Sequence, residues 1–204
     1  MARFVLVHGS GQNAGCWSRV AALLEERGHA VAAPDLPKRE STWGLERYAS
    51  RIAESVAGPD AVVVAHSFCG ALLPLLHAAR PCGLLVFLAA VIPEPGKSVR
   101  DQFAKDPSMF SGEWIAAGAR WFEESQRESL AREFLFHDCD AETLPWALGT
   151  VKFTDVQKAI VEPAPFAKWP SVPVASIVAS GDRTLSPAWI RRRSLEVSGR
   201  CSSS

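Results

Sequence analysis

A serine stands where a short apolar segment gives way to a helical pattern. The apolar run 61–64 leads to Ser67, and residues at helical spacing follow directly after it. A serine in such a strand-to-helix turn sits in a strained bend with small neighbours, and its hydroxyl projects from the carboxyl edge of the sheet. The two positions that flank it in the G-x-S-x-G pattern hold Ala65 and Cys69, with Gly70 one place later. We therefore predict that Ser67 is a nucleophile, although a serine that caps a helix would give a similar pattern.

A glycine-rich turn follows the first apolar run. It begins with His8-Gly9-Ser10 and continues through Gly11. Acyl transfer needs backbone N–H groups aimed at the developing oxyanion, and the loss of one such donor typically costs about 2.7–4 kcal/mol of barrier. The loop after an early strand can give one donor, and the residue after the nucleophile gives the other. We therefore assign the backbone N–H groups of Ser10 and Phe68 to an oxyanion hole, with a plain glycine-rich turn as the alternative for the first of them.

An aspartate comes directly after the last apolar run, in the sequence Gly181-Asp182-Arg183. A carboxylate at this place can orient a catalytic histidine and stabilise its imidazolium form. Aspartate is also common in turns that follow strands. Because the nucleophile precedes the acid along the chain, as it does in hydrolases with a strand-to-helix serine, we predict that Asp182 is the acid of a triad.

Short apolar runs alternate with helical patterns along much of the chain. Runs rich in Val, Leu and Ala are typical of parallel strands buried on both faces, and helices between them imply right-handed crossovers. Gly28 is a suitable residue to end the first helix. We predict strands at 3–8, 29–33, 61–66, 83–90 and 172–180, and helices at 17–27, 43–56 and 68–79. The fold class is therefore α/β, a three-layer sandwich with a mostly parallel sheet.

The alternation stops after Pro93, where aromatic residues cluster among amphipathic helical stretches. We predict a helical cap insertion at 93–170, with most of its aromatic side chains in the core of the cap. The α/β core then comprises 1–92 and 171–197, and a helix is expected at 187–197. Residues 198–204 have neither a strand pattern nor apolar periodicity, so we expect them to be an unstructured tail.

The composition limits the partners. Lysine and arginine total 22, and aspartate and glutamate total 22, so no large field of one sign attracts nucleic acid or an anionic membrane. No apolar run approaches the ~20 residues of a membrane span, and the first apolar stretch is shorter than that of a signal peptide. The five cysteines have no metal-ligand spacing. We expect a cytoplasmic protein with free thiols, without metal or cofactor, that binds a small and weakly charged molecule.

Several longer stretches resemble the α/β-hydrolase superfamily, and within it the branch of plant-type methyl esterases and hydroxynitrile lyases with their bacterial relatives. The matching stretches are FVLVHGSGQNAGCW, APDLP, AHSFCG, FLFHDCD with TLPWAL, and PVASIVASGDRTLSP. The resemblance implies an α/β-hydrolase sandwich whose cap covers a site for small, mostly apolar esters or cyanohydrins. The leading function is therefore a serine hydrolase that acts on a small apolar carboxylic ester, thioester or lactone.

The resemblance also calls for a histidine after one further strand, and no histidine follows His137. We expect that strand to be lost, which leaves 172–180 as an uncovered apolar edge that invites association with a second chain. Our hypothesis is a truncated or frame-shifted form of a longer esterase-like sequence. It fails if the encoding DNA holds no alternative frame with the missing strand, histidine and helix.

The five histidines of the chain do not replace the missing one on sequence grounds. His8 is expected to be packed and hydrogen-bonded beside the oxyanion turn, and the side chain of His66 should point away from the side of the nucleophile. His137 lies in the cap, while His29 and His77 should lie on the far edge of the sheet and on a crossover helix. Two alternatives to hydrolysis therefore stay open: a weak or inactive binding protein for a small ligand, and a lyase or cyclase that uses the same pocket.

Overall fold

The computed structural model of the chain describes residues 1–38 and 40–201. All five predicted strands are present, and neighbouring strands are parallel throughout the sheet. Their order across the sheet is β2-β1-β3-β4-β5. The strands are β1 (Arg3–Val7), β2 (Ala30–Ala32), β3 (Val62–Ser67), β4 (Leu84–Ala90) and β5 (Val174–Ile177). The predicted α/β class is confirmed, with β3 at the centre of the sheet.

Helices connect the strands and continue through the insertion. They are α1 (Ser18–Glu26), α2 (Leu45–Ala53), α3 (Leu73–Ala79), α4 (Val99–Lys105), α5 (Gly112–Ala117), α6 (Arg127–Leu130), α7 (Thr143–Gly149), α8 (Gln157–Val161) and α9 (Pro187–Cys201). Gly28 ends α1 as predicted. It has φ of 79° and its N–H donates to the Glu25 carbonyl at 2.8 Å, an arrangement that glycine adopts without steric cost.

The main hydrophobic core lies between the sheet and its crossover helices. Helix α2 shows how the sequence pattern creates it, because its apolar residues recur every three or four positions. Leu45, Tyr48 and Ile52 on one face are at most 1% exposed, while Glu46 and Arg47 face solvent. This spacing places one apolar stripe on the sheet and leaves the charged face in water. The strands thus have a packed layer that fixes where their carboxyl ends lie.

The predicted insertion is helical, but only its middle part forms a separate core. Trp121, Leu130 and Phe134 are buried in a second hydrophobic cluster, which also takes in the partly buried Trp114 and Phe153. Residues nearer the two ends of the insertion, such as Met109, Val156 and Ala164, are buried in the main core instead. The cap is therefore attached to the α/β core by apolar packing at both of its ends.

The last helix continues further than expected. Helix α9 runs through Cys201, so the prediction of an unstructured tail is wrong for residues 198–201, while residues 202–204 lie outside the described residues. A polar sequence does not by itself end a helix, because the α-helix is built from backbone hydrogen bonds. Next to α9, β5 is an edge strand that pairs only with β4 in this part of the chain, and Ile177 on it is 54% exposed. Association through this edge stays a prediction.

No helix within residues 1–38 and 40–201 combines the length and the apolar character needed to cross a bilayer. The same residues contain no cluster of three or more histidine, cysteine or acidic side chains placed to bind a metal ion.

Candidate active site

Ser67 is the last residue of β3 and has an unusual backbone conformation. Its φ is 56° and its ψ is −132°, a combination that costs a non-glycine residue about 1–3 kcal/mol. The residues that follow, Phe68–Leu72, form a tight turn that runs directly into α3. The sequence predicted a strained serine between a strand and a helix, and the structure places Ser67 in such a bend at the carboxyl edge of the sheet.

The turn after Ser67 packs very closely against the end of β4. A Cβ atom on Gly70 would lie 2.3 Å from the Val91 carbonyl oxygen and 2.9 Å from the Ala90 Cβ, so this position admits only glycine. The Val91 N–H donates to the Ser67 carbonyl at 3.0 Å, and the strand register slips between His66 and Ser67. The strained bend is thus held by the neighbouring strand rather than by the serine itself.

Cys69 occupies one of the two small positions expected around the nucleophile. It has no exposed surface, and burial raises the pKa of its thiol. A buried thiol of raised pKa is a small packing group rather than a nucleophile. The expected role of Cys69 as a small residue in the turn therefore agrees with its surroundings.

The loop after β1 lies directly beside Ser67. A Cβ atom on Gly9 would lie 3.0 Å from the Ser67 Cβ and 2.9 Å from the His66 Nδ1, so the absence of a side chain at Gly9 allows this approach. Among the backbone hydrogen bonds of the described residues, none has the Ser10 N–H as its donor. Phe68 is the first residue of the turn after Ser67, a position where N–H groups have no acceptor within the turn. The two donors predicted for an oxyanion hole thus belong to segments that meet at Ser67.

The end of the cap holds this loop in place. The Thr154 N–H donates to the Ser10 carbonyl at 2.7 Å, and the Lys152 N–H donates to the Gly11 carbonyl at 2.9 Å. Two residues beyond Gly11, the Asn13 N–H donates to the Thr150 carbonyl at 2.9 Å. Because their carbonyls are engaged on the side of the cap, the peptide groups of the loop have a fixed orientation.

His8 supports the loop as a neutral side chain. Its Nε2 accepts a hydrogen bond from the Leu36 N–H at 3.0 Å, so its Nδ1 carries the proton and donates to the Gly9 carbonyl at 2.8 Å. Burial lowers the pKa of His8. Burial, with a smaller contribution from His8, also lowers the pKa of His66 to about 4. Both rings are therefore neutral near pH 7, and the packed role predicted for His8 agrees with its hydrogen bonds.

Asp182 lies in the turn after β5, one strand beyond β4 in the sheet order. Its Oδ1 accepts two hydrogen bonds from Thr184, one from the N–H at 2.7 Å and one from the hydroxyl at 2.8 Å. Burial is the largest influence on the carboxyl group and raises its pKa, against the opposing effect of these hydrogen bonds. A partly buried carboxylate fixed through one oxygen retains its other oxygen for a further partner.

His137 lies against the loop that carries Asp182, which the sequence did not predict. Its Nε2 is 3.9 Å from the position of a Cβ atom on Gly181, and its charge favours the ionised form of Asp182. The Nδ1 of His137 is buried and has no hydrogen-bond partner in the described part of the chain. The Arg183 guanidinium tethers the same two segments by donating to the Glu133 carbonyl at 3.2 Å. The only available signal was the HDCD motif, which gives no distance to a residue so far along the chain.

The two remaining histidines lie in local structural contacts. His29 accepts a hydrogen bond from the Ala2 N–H at 3.2 Å and packs edge-on against Phe4. His77 accepts a hydrogen bond from the Cys82 N–H at 3.3 Å, at the end of α3. Neither contact involves Ser67 or Asp182, in keeping with the expectation that these two histidines are not bases for the nucleophile.

A parallel sheet with a strained serine at the end of a central strand, and an aspartate after a later strand, is the arrangement of the α/β-hydrolase fold. The model of the "Alpha/beta hydrolase family" matches residues 4–200. The chain therefore belongs to the α/β-hydrolase family.

Individual relatives come from the branch that the sequence motifs resemble. One segment is 39% identical to "Probable esterase PIR7A" of Oryza sativa subsp. indica, and covers 46% of this chain and 41% of that protein. The chain is also 35% identical to "Polyneuridine aldehyde esterase" of Rauvolfia serpentina, in a match that covers 50% of this chain and 44% of that protein. The matched segment thus spans less than half of the length of each of these relatives.

A solved structure shows the same fold over nearly the whole chain. The crystal structure of polyneuridine aldehyde esterase superimposes with a TM-score of 0.72 and 22% sequence identity, and covers 97% of this chain and 88% of that chain. The likeness supports the α/β-hydrolase architecture of the sheet, the crossover helices and the helical insertion.

Proposed function

We propose that this chain is a serine hydrolase that cleaves a small, apolar carboxylic ester, with Ser67 as its nucleophile. The observation that carries the proposal is the strained backbone of Ser67 at the end of β3, with φ of 56°. A fold retains such strain where the surrounding packing over-determines it, and strained positions cluster at active sites. The contact between Ser67 and Gly9 supports the same proposal, because it sets the nucleophile beside a loop that can bind an oxyanion.

In the proposed reaction, the Ser67 Oγ attacks the ester carbonyl while its proton passes to an imidazole. The carbonyl oxygen becomes an oxyanion, which the N–H groups of Ser10 and Phe68 stabilise. The imidazolium then gives the proton to the departing alcohol, and an acyl group remains on Ser67. Water, deprotonated by the same imidazole, releases the carboxylic acid and regenerates the serine.

We assign the imidazole to His137. The support for this assignment is its proximity to the acid loop: its Nε2 lies close to Gly181, and its charge acts on Asp182. An imidazole next to a carboxylate is the usual general base of a serine hydrolase. The cap would then contribute a catalytic group to the site, in addition to covering it. This assignment stands apart from that of the nucleophile, because it depends on how the cap sits on the core.

The ester class rests on the family and on the apolar character of the cap. The relatives matched in sequence include proteins named as esterases. The side chains of Trp114, Trp121 and Phe134 pack on one another in the cap, with ring centroids 4.8 and 5.4 Å apart. A cap built on aromatic packing favours a small apolar acyl or alcohol group over a large polar one.

The compartment and the assembly are parts of the same proposal. The described cysteines, at positions 16, 69, 82 and 139, are free thiols, as is usual in reducing compartments. We propose a cytoplasmic location on this ground. We also propose that the exposed edge of β5 brings two copies together, since an unpaired apolar strand is a template for pairing.

Hydrolysis of p-nitrophenyl butyrate tests the nucleophile and the base separately. We expect Ser67→Ala to lower the rate at least about a hundredfold, and His137→Gln to lower it by a similar factor. His77→Gln, on an outer helix, is the matched control and should keep the rate of the unmodified protein. If Ser67→Ala matches the unmodified protein, the hydrolase proposal is wrong. If only His137→Gln leaves the rate unchanged, the nucleophile stands and the base assignment is wrong.

A further inference from the structure

A cleft of about 520 Å³ opens between the cap and the loop that follows β2. Its walls carry three cationic side chains, Lys38, Arg127 and Lys152, together with the apolar side chains of Val151 and Phe153. Neither Ser67 nor Asp182 lines it. The cleft is therefore a site separate from the proposed catalytic residues, with both a charged and an apolar surface.

The two lysines of the cleft are held close together. Both side chains line the same cleft, and the proximity of Lys152 is the largest of the influences that lower the pKa of Lys38. Across residues 1–38 and 40–201, no carboxylate forms an ion pair with Lys38 or Lys152. Two ammonium groups on one cleft wall repel each other, and an anion between them would replace that repulsion with two attractions.

Arg127 adds a third positive charge and is fixed in place. Its Nε donates to the Trp121 carbonyl at 3.3 Å, and its guanidinium lies 4.8 Å from the centre of the Phe153 ring. A guanidinium stacked on an aromatic face keeps its outer N–H groups free to bind a carboxylate. The aromatic ring and the cationic groups thus belong to one preformed surface.

Two glutamates also line the cleft, but they do not neutralise its basic wall. The carboxylate of Glu128 is engaged by Arg132, at 2.7 Å from its Nη2 and 3.1 Å from its Nε. Glu124 forms no ion pair with any cation in the described part of the chain. Glu124 is thus the one carboxylate of the described cleft lining outside an ion pair, and the charge of Asp35 acts on Lys38 from a neighbouring position. The three cations still outnumber these two carboxylates.

The cleft adjoins the loop that carries the proposed oxyanion donor. The Lys152 N–H donates to the Gly11 carbonyl, and a Cβ atom on Gly11 would lie 3.9 Å from the Phe153 ring. A ligand in the cleft would therefore contact the segment that fixes the orientation of Ser10 and Gly11.

We propose that this cleft binds an organic anion, whose carboxylate lies between Lys38 and Lys152 and whose apolar body packs on Phe153. The proposal names a carboxylate because its two oxygens match two neighbouring amino groups and a guanidinium. It names an apolar body because three of the eight lining residues, Leu148, Val151 and Phe153, offer apolar surface. This inference does not depend on hydrolysis at Ser67.

Benzoate and benzamide form a matched pair of probes, because they share the ring and differ in charge. We would measure their dissociation constants by ligand-observed NMR on the Ser67→Ala protein, so that no turnover is involved. We expect benzoate to bind saturably and at least about tenfold more tightly than benzamide. Lys38→Met and Lys152→Met should each weaken benzoate at least about fivefold, whereas Lys168→Met, at an exposed position outside the cleft, should leave it unchanged.

Three results would overturn the proposal. The first is an absence of saturable benzoate binding, and the second is equal binding of benzoate and benzamide. The third is displacement of benzoate by sulfate, at matched ionic strength, as effectively as by phenylacetate, because the cleft would then bind inorganic charge without using its apolar wall. Thermal midpoints of the lysine variants within about 1 °C of the parent protein would show that the variants fold. If the midpoint of a methionine variant falls further, the arginine variant of the same position, Lys38→Arg or Lys152→Arg, is measured in its place. The arginine variant should retain benzoate binding.

Discussion

Gly9 and Ser67 are in direct contact: a Cβ atom on Gly9 would lie 3.0 Å from the Cβ of Ser67. The first residue belongs to the loop after β1, and the second to the turn after β3. Because the two strands are neighbours in the sheet, their carboxyl ends bring the loop and the turn together at one edge. This contact supports the proposed role of Ser67, because it sets the serine beside the loop that carries the proposed oxyanion donor.

A methyl group at Gly9 should therefore disturb the site more than the fold. In Gly9→Ala the new Cβ meets both Ser67 and His66 within about 3 Å, so one of the two segments must shift. A displacement of this size can cost about a hundredfold in rate. Hydrolysis of p-nitrophenyl butyrate should fall by that order, and the denaturant midpoint should fall only modestly.

Gly11→Ala is the matched control for this prediction. Its nearest neighbour would be the Phe153 ring at 3.9 Å, which is an ordinary van der Waals contact, so both rate and stability should be preserved. Equal rates for Gly9→Ala and the unmodified protein would contradict the close approach of the loop to Ser67.

The backbone strain at Ser67 predicts opposite effects on stability and activity. Glycine tolerates φ of 56° without steric cost, so Ser67→Gly should raise the free energy of unfolding by about 1 kcal/mol while it removes the nucleophile. Ser67→Ala keeps the strain and should change the free energy of unfolding by less than about 0.5 kcal/mol. Urea unfolding of the three proteins checks this prediction, and a glycine variant less stable than the alanine variant would contradict it.

The sequence was most informative where structure depends on neighbours along the chain. The apolar runs predicted all five strands, and small residues around Ser67 predicted its bend, because both patterns are local. The end of β5 was predicted less well, since a strand paired on one side only needs long-range contacts to define its length. Polar composition at residues 198–201 likewise suggested a tail where the helix continues.

The cap shows why the rest of the site could not be predicted. His137 and Gly181 are distant in sequence, and their approach depends on how several short helices pack. The HDCD motif identified a cap segment but not its neighbour. The same holds for the cleft that Lys38 and Lys152 share, which lies between the loop after β2 and the end of the cap. Neither contact has a periodicity or a spacing that a single sequence displays.

The buried histidines predict a loss of stability in mild acid. The pKa of His66 is lowered to about 4 and that of His8 is lowered as well, both first of all by burial. The unfolded chain therefore takes up protons as the pH falls below about 6.5, while the folded chain does not. Stability is fully present above pH 6.5 and is lost as the pH falls toward 4, by on the order of 2 kcal/mol for His66.

Urea midpoints between pH 7.5 and 4.5 would measure this loss. His66→Gln should show a shallower decline than the unmodified protein, because one of the two groups no longer titrates. His29→Gln is the control, because His29 is partly exposed and lies just before β2. Its stability should decline as that of the unmodified protein does. A decline of equal steepness in all three proteins would mean that burial of His66 does not contribute.

The most direct test of the central claim is to find the acyl group itself. The protein would be mixed with p-nitrophenyl butyrate, quenched in acid and mapped by peptide mass spectrometry. We predict a butyryl group on the peptide that contains Ser67, at the serine oxygen, and none on the same peptide of the Ser67→Ala protein. Butyrylation at other residues only, or hydrolysis at the same rate in both proteins, would contradict the assignment of Ser67 as the nucleophile.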